Sequence, residues 1–364
     1  MKRILSVILA ALLALPFGFA AGAEDADAAP ARTGTLKFIA YNVSGIPLVG
    51  GFQGSSFTTT KERAQTLGKL LNGTDVDFIG TEEDFNGAPY LAAEMTNYPF
   101  HSYTSGGLAQ GQGLNVYSKY KIYNVERVKW RLEYGTVSGS MDAVSNKGFI
   151  YALVEFAEGV YINVINVHMD AGYDALSVLA RADNFKQLAA YINENLNDGR
   201  PLIVQGDFNF KFKRELKDDM YNNLLVPTGT KDVWAELSNH GIYDTSDPEF
   251  NKIAPGDDLD RIIYRSGDYM TITPIAKTVP PLTGENGERY TDHNPMLTEF
   301  EYTITGSEST PENLTEPVEE NPVLLTLKEI VWAFVRLIQM VLGLVELPYL
   351  AYQGIDILVN GKAP

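Results

Sequence analysis

Residues able to bind a divalent cation or to move protons stand beside apolar, strand-like segments in this 364-residue sequence. The stretch YTDHNPMLTEFEY sets His293 directly after Asp292 and just before a predicted strand, in a chain that has four histidines. Adjacent side chains in a strand point to opposite faces, so these two residues cannot both lie in one core. Taken alone, the pattern is also typical of a polar turn built on Asn294 and Pro295.

Other apolar segments end in polar residues in the same way, which favours one site at the strand ends of an α/β fold. Two histidines among carboxylates, without any cysteine, favour a hard oxygen-ligated ion such as magnesium over zinc. Such a cation together with an Asp/His pair suits attack of water on a phosphate ester. The residues are Asn42 after TLKFIAY, Glu82 and Glu83 after DVDFIGT, His168 and Asp170 in INVHMD, Asp207 and Asn209 in GDFN, and Asp260 before RIIYR.

The elements that must position these residues alternate between strand and helix over residues 35–303. The pattern KERAQTLGKLLNG predicts a helix that ends at Gly73, where a C-cap is expected. The segment 175–196 predicts a second helix, and RPLIVQGDFNF predicts a buried strand. A body of this length can bury a large core without disulfides.

The sequence divides into five regions. Residues 1–23 carry two basic residues, an apolar run and the small-residue end Ala21-Gly22-Ala23, as a secretory signal peptide does. A polar lead-in (24–34), a catalytic domain (35–305), a flexible linker rich in Pro, Glu, Ser and Thr (306–322) and an apolar helix with a tail (323–364) follow. The chain is therefore expected to be secreted.

The net charge is −17, and removal of Lys2 and Arg3 with the signal peptide makes it −19. Because non-specific duplex binding depends on Lys and Arg contacts to phosphates, an acidic chain makes nucleic acid a less favoured partner. An acidic balance suits a protein that gathers divalent cations. The cluster KFKRELK (211–217) could face a substrate, although a solvated helix start is the more ordinary interpretation.

Six motifs, in order and approximate spacing, resemble the endonuclease/exonuclease/phosphatase superfamily. This superfamily includes deoxyribonuclease-I-like nucleases, inositol polyphosphate 5-phosphatases and sphingomyelinases. The resemblance covers about residues 35–303 and implies a four-layer α/β sandwich, with two mixed β-sheets packed face to face and helices outside. The motifs are YN (41–42), DFIGTEE (77–83), NVH (166–168), GDFN (206–209), LDRI (259–262) and TDHNP (291–295).

The resemblance implies a role for each residue. The metal ligands would be Asn42 and Glu83, with Asp292 near the ion, which would be Mg²⁺ or another divalent cation such as Mn²⁺ or Ca²⁺. Superfamily members commonly have Gln before the metal-binding Glu, so Glu82-Glu83 offers two candidates, of which the spacing favours Glu83. The catalytic residues would be Asp207, which activates water, Asn209 and His168, which contact the phosphate, and His293, which Asp260 orients.

The substrate is less constrained. Lys147 in SNKGFIY resembles the Lys-Gly of lipid-directed members, but an ordinary turn explains it equally well; we assign Lys147 and Asp170 to substrate binding. The prediction is a metal-dependent phosphodiesterase acting on a phospholipid such as sphingomyelin. A deoxyribonuclease-I-like nuclease or an inositol-phosphate-type phosphatase is the alternative. The sequence indicates no obligate protein partner.

The C-terminal segment 323–350 adds to the lipid interpretation. Its less apolar positions, Thr326, Glu329, Ala333, Arg336, Gln339, Gly343 and Glu346, recur at steps of three and four and form a narrow stripe on a helix. Arg336 in mid-segment disfavours a transmembrane span. A helix lying on a membrane surface, or one packing on protein, fits the pattern better.

Overall fold

The computed structural model describes residues 31–45, 59–108, 111–134, 142–213, 219–250 and 256–331, together with the helical positions 333, 334 and 338. The expected signal peptide, most of the lead-in, residues 214–217 of the basic cluster and the tail beyond 338 lie outside these residues. The description below concerns the unit that begins at Arg32.

The described chain folds into two six-stranded mixed sheets, and the helices lie between strands in the sequence. The first sheet has the order β11-β12-β1-β2-β4-β3 and the second β5-β6-β7-β8-β10-β9. The strands are β1 (Arg32–Asn42), β2 (Phe78–Glu82), β3 (Phe100–His101), β4 (Leu114–Ser118), β5 (Lys121–Lys129), β6 (Gly148–Ala157), β7 (Val160–His168), β8 (Leu202–Asp207), β9 (Lys231–Asp232), β10 (Asp260–Arg265), β11 (Met270–Thr278) and β12 (Met296–Ile304).

Two long helices begin at side-chain caps. Helix α1 (Thr60–Asn72) starts where the Thr59 hydroxyl accepts a hydrogen bond from the Glu62 amide, and it ends at Gly73 as predicted. Helix α4 (Ala175–Asn195) starts where Asp174 accepts from the amides of Leu176 and Ser177. The shorter helices are α2 (Ala88–Ala92), α3 (Asp142–Ser145), α5 (Val226–Thr228) and α6 (Val233–Ser238), with a π-helical turn at Tyr221–Leu225.

Alternation along each strand builds three apolar layers. Phe38 of β1 points inward and packs with residues of both sheets, such as Ile203 of β8. Its neighbour Ile39 points outward and packs against α1 through Leu67. On the other outer face, residues of β7 and β8 pack against α4. The predicted four-layer sandwich is confirmed.

Strand register brings the predicted site residues together. Parallel pairing of β1 with β2 sets Asn42 opposite Glu82, and parallel pairing of β7 with β8 sets His168 opposite Asp207. Antiparallel pairing of β8 with β10 sets Asp207 opposite Asp260. Gly206, at φ +132°, lets β8 pass so close to β7 that a Cβ would lie 2.1 Å from the carbonyl oxygen of Val167.

The segment 306–322, expected to make few contacts as a flexible linker, touches the body at several points in the described structure. The Arg200 Nε donates to Glu308 at 2.7 Å, and Tyr269 donates its hydroxyl hydrogen to the same carboxylate at 3.1 Å. The amide of Asn124 donates to the carbonyl of Thr315 at 2.8 Å. The structure has no helix or strand at 306–321, and composition could not predict these contacts.

A helix covers residues 322–331 and continues at 333, 334 and 338. We refer to these residues as the C-terminal helix. Among the described residues, no helix combines the length and the apolar character needed to cross a membrane.

Candidate active site

Asp207, at the end of β8, lies at the centre of the cluster of polar side chains. Its Oδ2 accepts a hydrogen bond from Asn42 Nδ2 at 3.1 Å and lies 3.5 Å from His168 Nε2. The same oxygen lies 3.9 Å from His293 Nε2. The Asp207 side chain is almost fully buried, because residues from both sheets surround it. One carboxylate oxygen therefore faces two imidazoles and one amide.

His293 forms a close pair with Asp260, as predicted. Its Nδ1 lies 2.8 Å from Asp260 Oδ2, which leaves Nε2 directed toward Asp207. Burial alone would lower the pKa of His293, but the carboxylates of Asp260 and Asp207 outweigh burial and raise it well above its usual range. His293 is therefore a cation near neutral pH, and Nδ1 carries the proton shared with Asp260.

His168 is electrostatically the opposite of His293. Burial lowers the pKa of His168 well below its usual range, and the charges of Lys147 and His293 lower it further. The imidazole is therefore neutral. Its Nε2 lies 3.8 Å from the Glu83 carboxylate as well as near Asp207. Two histidines with different protonation states thus flank one carboxylate.

The two adjacent glutamates have separate environments. Glu83 Oε1 accepts from the Asn42 amide at 3.2 Å, so Glu83 lies with Asn42 in the cluster. Glu82, one residue earlier in β2, is fully buried. The pKa of Glu82 is raised well above its usual range by burial, and by the nearby carboxylates of Asp260 and Asp207. Glu83 therefore has the position of the predicted ligand.

Three residues with a left-handed backbone conformation follow the strands at this site. Ser44, Glu83 and Asn209 have φ values of 49°, 57° and 49°, a region that residues with side chains rarely adopt. Each lies one or two residues beyond the end of β1, β2 or β8. The backbone turns sharply there, and the turn at Glu83 keeps its side chain beside Asn42 instead of in the sheet. Strained backbone of this kind is common at functional sites.

Arg63 of α1 holds two of these loops together, although sequence reasoning missed it. Its guanidinium donates to the carbonyls of Val43 and Tyr290 at 2.7 and 2.9 Å, and to that of Ser44 at 2.7 Å. It thereby ties the chain after Asn42 to the chain before His293. A single arginine in a helical pattern is typical of a solvated face, so the sequence held no signal for this role.

Lys147 and Asp170, assigned to substrate binding, lie beneath the surface in the described structure. Lys147 is 2% exposed and forms an ion pair with Asp142, and its Nζ donates to the Met169 carbonyl at 3.3 Å. Asp170 is fully buried and accepts from the Tyr134 amide at 2.7 Å. No sequence pattern pointed to Asp142. The two assigned residues stand behind the site, where the Lys147 charge acts on His168 and Glu83.

Asn209 and Asp292 lie at the edge of the cluster. The Asn209 amide donates to the Met169 carbonyl at 3.1 Å, and its backbone N–H donates to Asp207 Oδ1 at 2.8 Å. Asp292 is exposed and accepts a hydrogen bond from the Ser44 hydroxyl. Neither residue touches Glu83 directly, so the described contacts do not place Asp292 in the ligand group with Asn42 and Glu83.

The donor set fits a hard divalent cation. Asp207 and Asp260 each offer a carboxylate oxygen within 4.8 Å of the other, and the Asn42 amide donates to both Asp207 and Glu83. Burial raises the pKa of Glu83, a cost that a bound cation offsets. A protonated His293 cannot be a ligand, which leaves carboxylate and amide oxygens. Oxygen donors of this kind suit magnesium, manganese or calcium.

Comparisons with known proteins agree with this architecture. Residues 91–249 match the model of Endonuclease/Exonuclease/phosphatase family 2, a span that includes His168 and Asp207. No curated protein sequence matches the chain.

Solved structures are similar to most of the chain. Sphingomyelinase C from Streptomyces griseocarneus is 19% identical with a TM-score of 0.51, over 73% of this chain and 99% of that one. A humanized D. rerio TDP2 is 18% identical with a TM-score of 0.52, over 73% and 98%. A beta toxin from Staphylococcus aureus is 18% identical with a TM-score of 0.50, over 72% and 99%.

At these identities the similarity establishes the fold, and the family match is a separate observation from the sequence. Both agree with the resemblance inferred from the six motifs and with the predicted enzyme class, a metal-dependent phosphoric ester hydrolase. The six motifs, the family match over residues 91–249 and the fold together resemble those of the endonuclease/exonuclease/phosphatase superfamily.

Proposed function

We propose that the protein is a secreted, metal-dependent phosphodiesterase that hydrolyses a phospholipid such as sphingomyelin by attack of water. The observation that carries this proposal is the Asp207 carboxylate, whose Oδ2 lies 3.5 Å from a neutral imidazole and 3.9 Å from a cationic one. In phosphodiester hydrolysis, water loses a proton while negative charge develops on the phosphoryl oxygens. The Asp207 carboxylate can accept that proton, and the neutral His168 and the cationic His293 can stabilise the developing charge.

Each side chain has a distinct part in the proposed reaction. Asp207 accepts a proton from the attacking water as the new P–O bond forms and the bond to the leaving oxygen breaks. Nε2–H of His293 gives its proton to the leaving oxygen as that bond breaks, while Asp260 orients the imidazole and keeps it protonated before the step. His168, being neutral, can donate a hydrogen bond to the phosphate. A divalent cation held by Glu83 and Asn42 would neutralise charge on the phosphate oxygens.

Three features support a lipid in preference to a nucleic acid. The net charge of −17 opposes binding to a polyanion. Lys147 is paired with Asp142 inside the protein and is not free to grip a phosphate backbone. The C-terminal helix exposes large apolar side chains, which a water-soluble polyanion cannot cover. Structural likeness to a sphingomyelinase agrees with this preference.

The alternative substrate is nucleic acid. Another D. rerio TDP2 structure, with a TM-score of 0.52 to this chain, is complexed with single strand DNA product. The two substrates separate in one assay. The purified protein, with magnesium, is incubated with sphingomyelin in mixed micelles, with a phosphoinositide and with plasmid DNA, and the Asp207→Asn variant serves as the inactive control.

We expect the wild type, and not the variant, to release the phosphorylated head group from sphingomyelin while the plasmid stays intact. Cleavage of plasmid alone by the wild type would transfer the assignment to the nuclease alternative. Secretion is tested separately, by N-terminal sequencing of protein recovered from the culture medium. A mature chain that begins at Glu24 is the expected result.

A further inference from the structure

The C-terminal helix carries its apolar residues on the side turned away from the protein. They recur at positions i, i+4, i+7, i+8, i+11 and i+15, which is one face of a helix. Each of them is between 48% and 63% exposed: Val323, Leu327, Ile330, Val331, Phe334 and Ile338. We refer to these six residues as the outer face. An exposed apolar stripe this long marks a surface that another apolar body covers.

Two polar residues of the same helix, Thr326 and Glu329, point toward the body, whereas Lys328 is exposed. Glu329 is 9% exposed and accepts from Lys129 at 3.1 Å and from Asn146 Nδ2 at 2.8 Å. Thr326 accepts from the Leu108 amide at 2.8 Å, and Leu325 is buried. Thr326 and Glu329 of the polar stripe thus fasten this part of the helix to the catalytic body.

The attachment point is next to the active site. Asn146, which donates to Glu329, directly precedes Lys147, whose Nζ donates at 3.3 Å to the carbonyl of Met169, the residue after His168. Leu108, whose amide donates to Thr326, is itself 86% exposed. The outer face, a second apolar side chain and the segment that carries Lys147 therefore belong to one neighbourhood of the molecule.

We propose that the outer face seats the enzyme on a zwitterionic lipid surface, with its polar side fastened to the catalytic body through Glu329. Attachment of the helix through Glu329 would hold the active site against lipid substrate in that surface. This part of the inference rests on the proposed function. A second copy of the chain is a poorer occupant, because each copy carries a charge of −17 and like-charged molecules repel. The sequence from 341 to 350 contains one charge, at Glu346, so it is itself apolar and in need of cover.

The test compares two double variants of the full chain. Leu327→Gln/Phe334→Gln changes the outer face and keeps good helix-forming residues. Val226→Gln/Val279→Gln is the matched control, since those valines are 56% and 53% exposed on other elements. Flotation with vesicles of phosphatidylcholine and sphingomyelin measures binding. Turnover of a short-chain, water-soluble phosphodiester measures the catalytic site alone.

We expect the wild type and the control to float with the vesicles and the outer-face variant to lose about tenfold or more of its bound fraction. Turnover of the soluble substrate should stay the same in all three proteins. The inference is overturned if the outer-face variant floats like the wild type, or if the wild type does not float. A wild-type dimer that the outer-face variant converts to monomer would also overturn it. Normal flotation with no turnover of any diester would support it while rejecting the proposed function.

Discussion

Asp207 is the residue on which the proposed chemistry depends most. Replacement by Asn keeps an oxygen that can accept from the Asn42 amide but removes the base. Since a positioned general base contributes about 10²–10⁴-fold, we expect turnover of a soluble phosphodiester to fall by about that factor. Circular dichroism and the melting temperature should remain close to those of the wild type. Near-normal turnover in a folded variant would remove Asp207 from the mechanism.

The two adjacent glutamates supply an internal comparison. Glu83→Gln removes a formal charge from the proposed ligand group, so the magnesium concentration for half-maximal activity should rise about tenfold or more. Glu82→Gln should leave that concentration nearly unchanged. Burial raises the pKa of Glu82 and so favours its neutral form, and glutamine has a similar shape. A magnesium titration of both variants checks the assignment, and the opposite ranking would exchange their roles.

The pair of His293 and Asp260 predicts a specific pH dependence. Because the folded-state pKa of His293 lies above its unfolded value, the cation and its stabilising contribution are complete at low pH. Both are lost as pH rises through the folded pKa. Asp260→Asn removes the largest factor that raises this pKa, while burial still lowers it. We therefore expect activity to be lost at lower pH in the variant. pH–rate profiles measure the shift, and superimposable alkaline limbs would argue against the pair.

At the residue scale, the sequence could identify groups that stand at strand ends, since register alone brings them together. Asp207, Asp260 and His293 meet for this reason. The sequence could not tell that Lys147 would turn inward, because its partner Asp142 is a lone acid at the start of the short helix α3. It also could not predict that the Asp292 side chain would turn to Ser44, because that partner lies 248 positions away in the sequence.

At the scale of elements, periodicity predicted most of the strands and helices that carry the site. β1, β7, β8 and the two long helices follow the predicted segments, and each helix begins at a capping side chain. The contacts of residues 306–322 could not be predicted in this way. Glu308 pairs with Arg200 across 108 positions of sequence, and composition describes only the average of a segment. The orientation of the C-terminal helix likewise depends on distant partners.

The Glu308 contact leads to a prediction about stability. Glu308→Ala removes the ion pair with Arg200 and the hydrogen bond from Tyr269. The side chains of Arg200 and Glu308 are 16% and 23% exposed. We expect a loss of about 1 kcal/mol, after allowance for partial solvent screening, and a melting temperature lower by a few degrees. Limited proteolysis should cut the segment 306–322 faster. Unchanged melting and cleavage would mean that these contacts do not hold the segment in solution.

At the scale of the whole molecule, the two sheets place residues from opposite ends of the sequence into one site. Asn42 and His293 come from the first sheet and its flanking loop, whereas His168, Asp207 and Asp260 come from the second. Neither sheet alone contains both the proposed base and the cationic imidazole. The architecture therefore explains why the six motifs are spread over the whole catalytic body, and why a single metal-dependent site is expected.

The most direct measurement is the cation dependence of phosphodiester hydrolysis by the full-length protein. The substrate is a short-chain, water-soluble diester, so that membrane binding plays no part. Removal of divalent cations with excess chelator should abolish turnover, and magnesium added beyond the chelator should restore it, because the proposed reaction needs a cation held at Glu83 and Asn42. Full turnover in excess chelator would contradict the account.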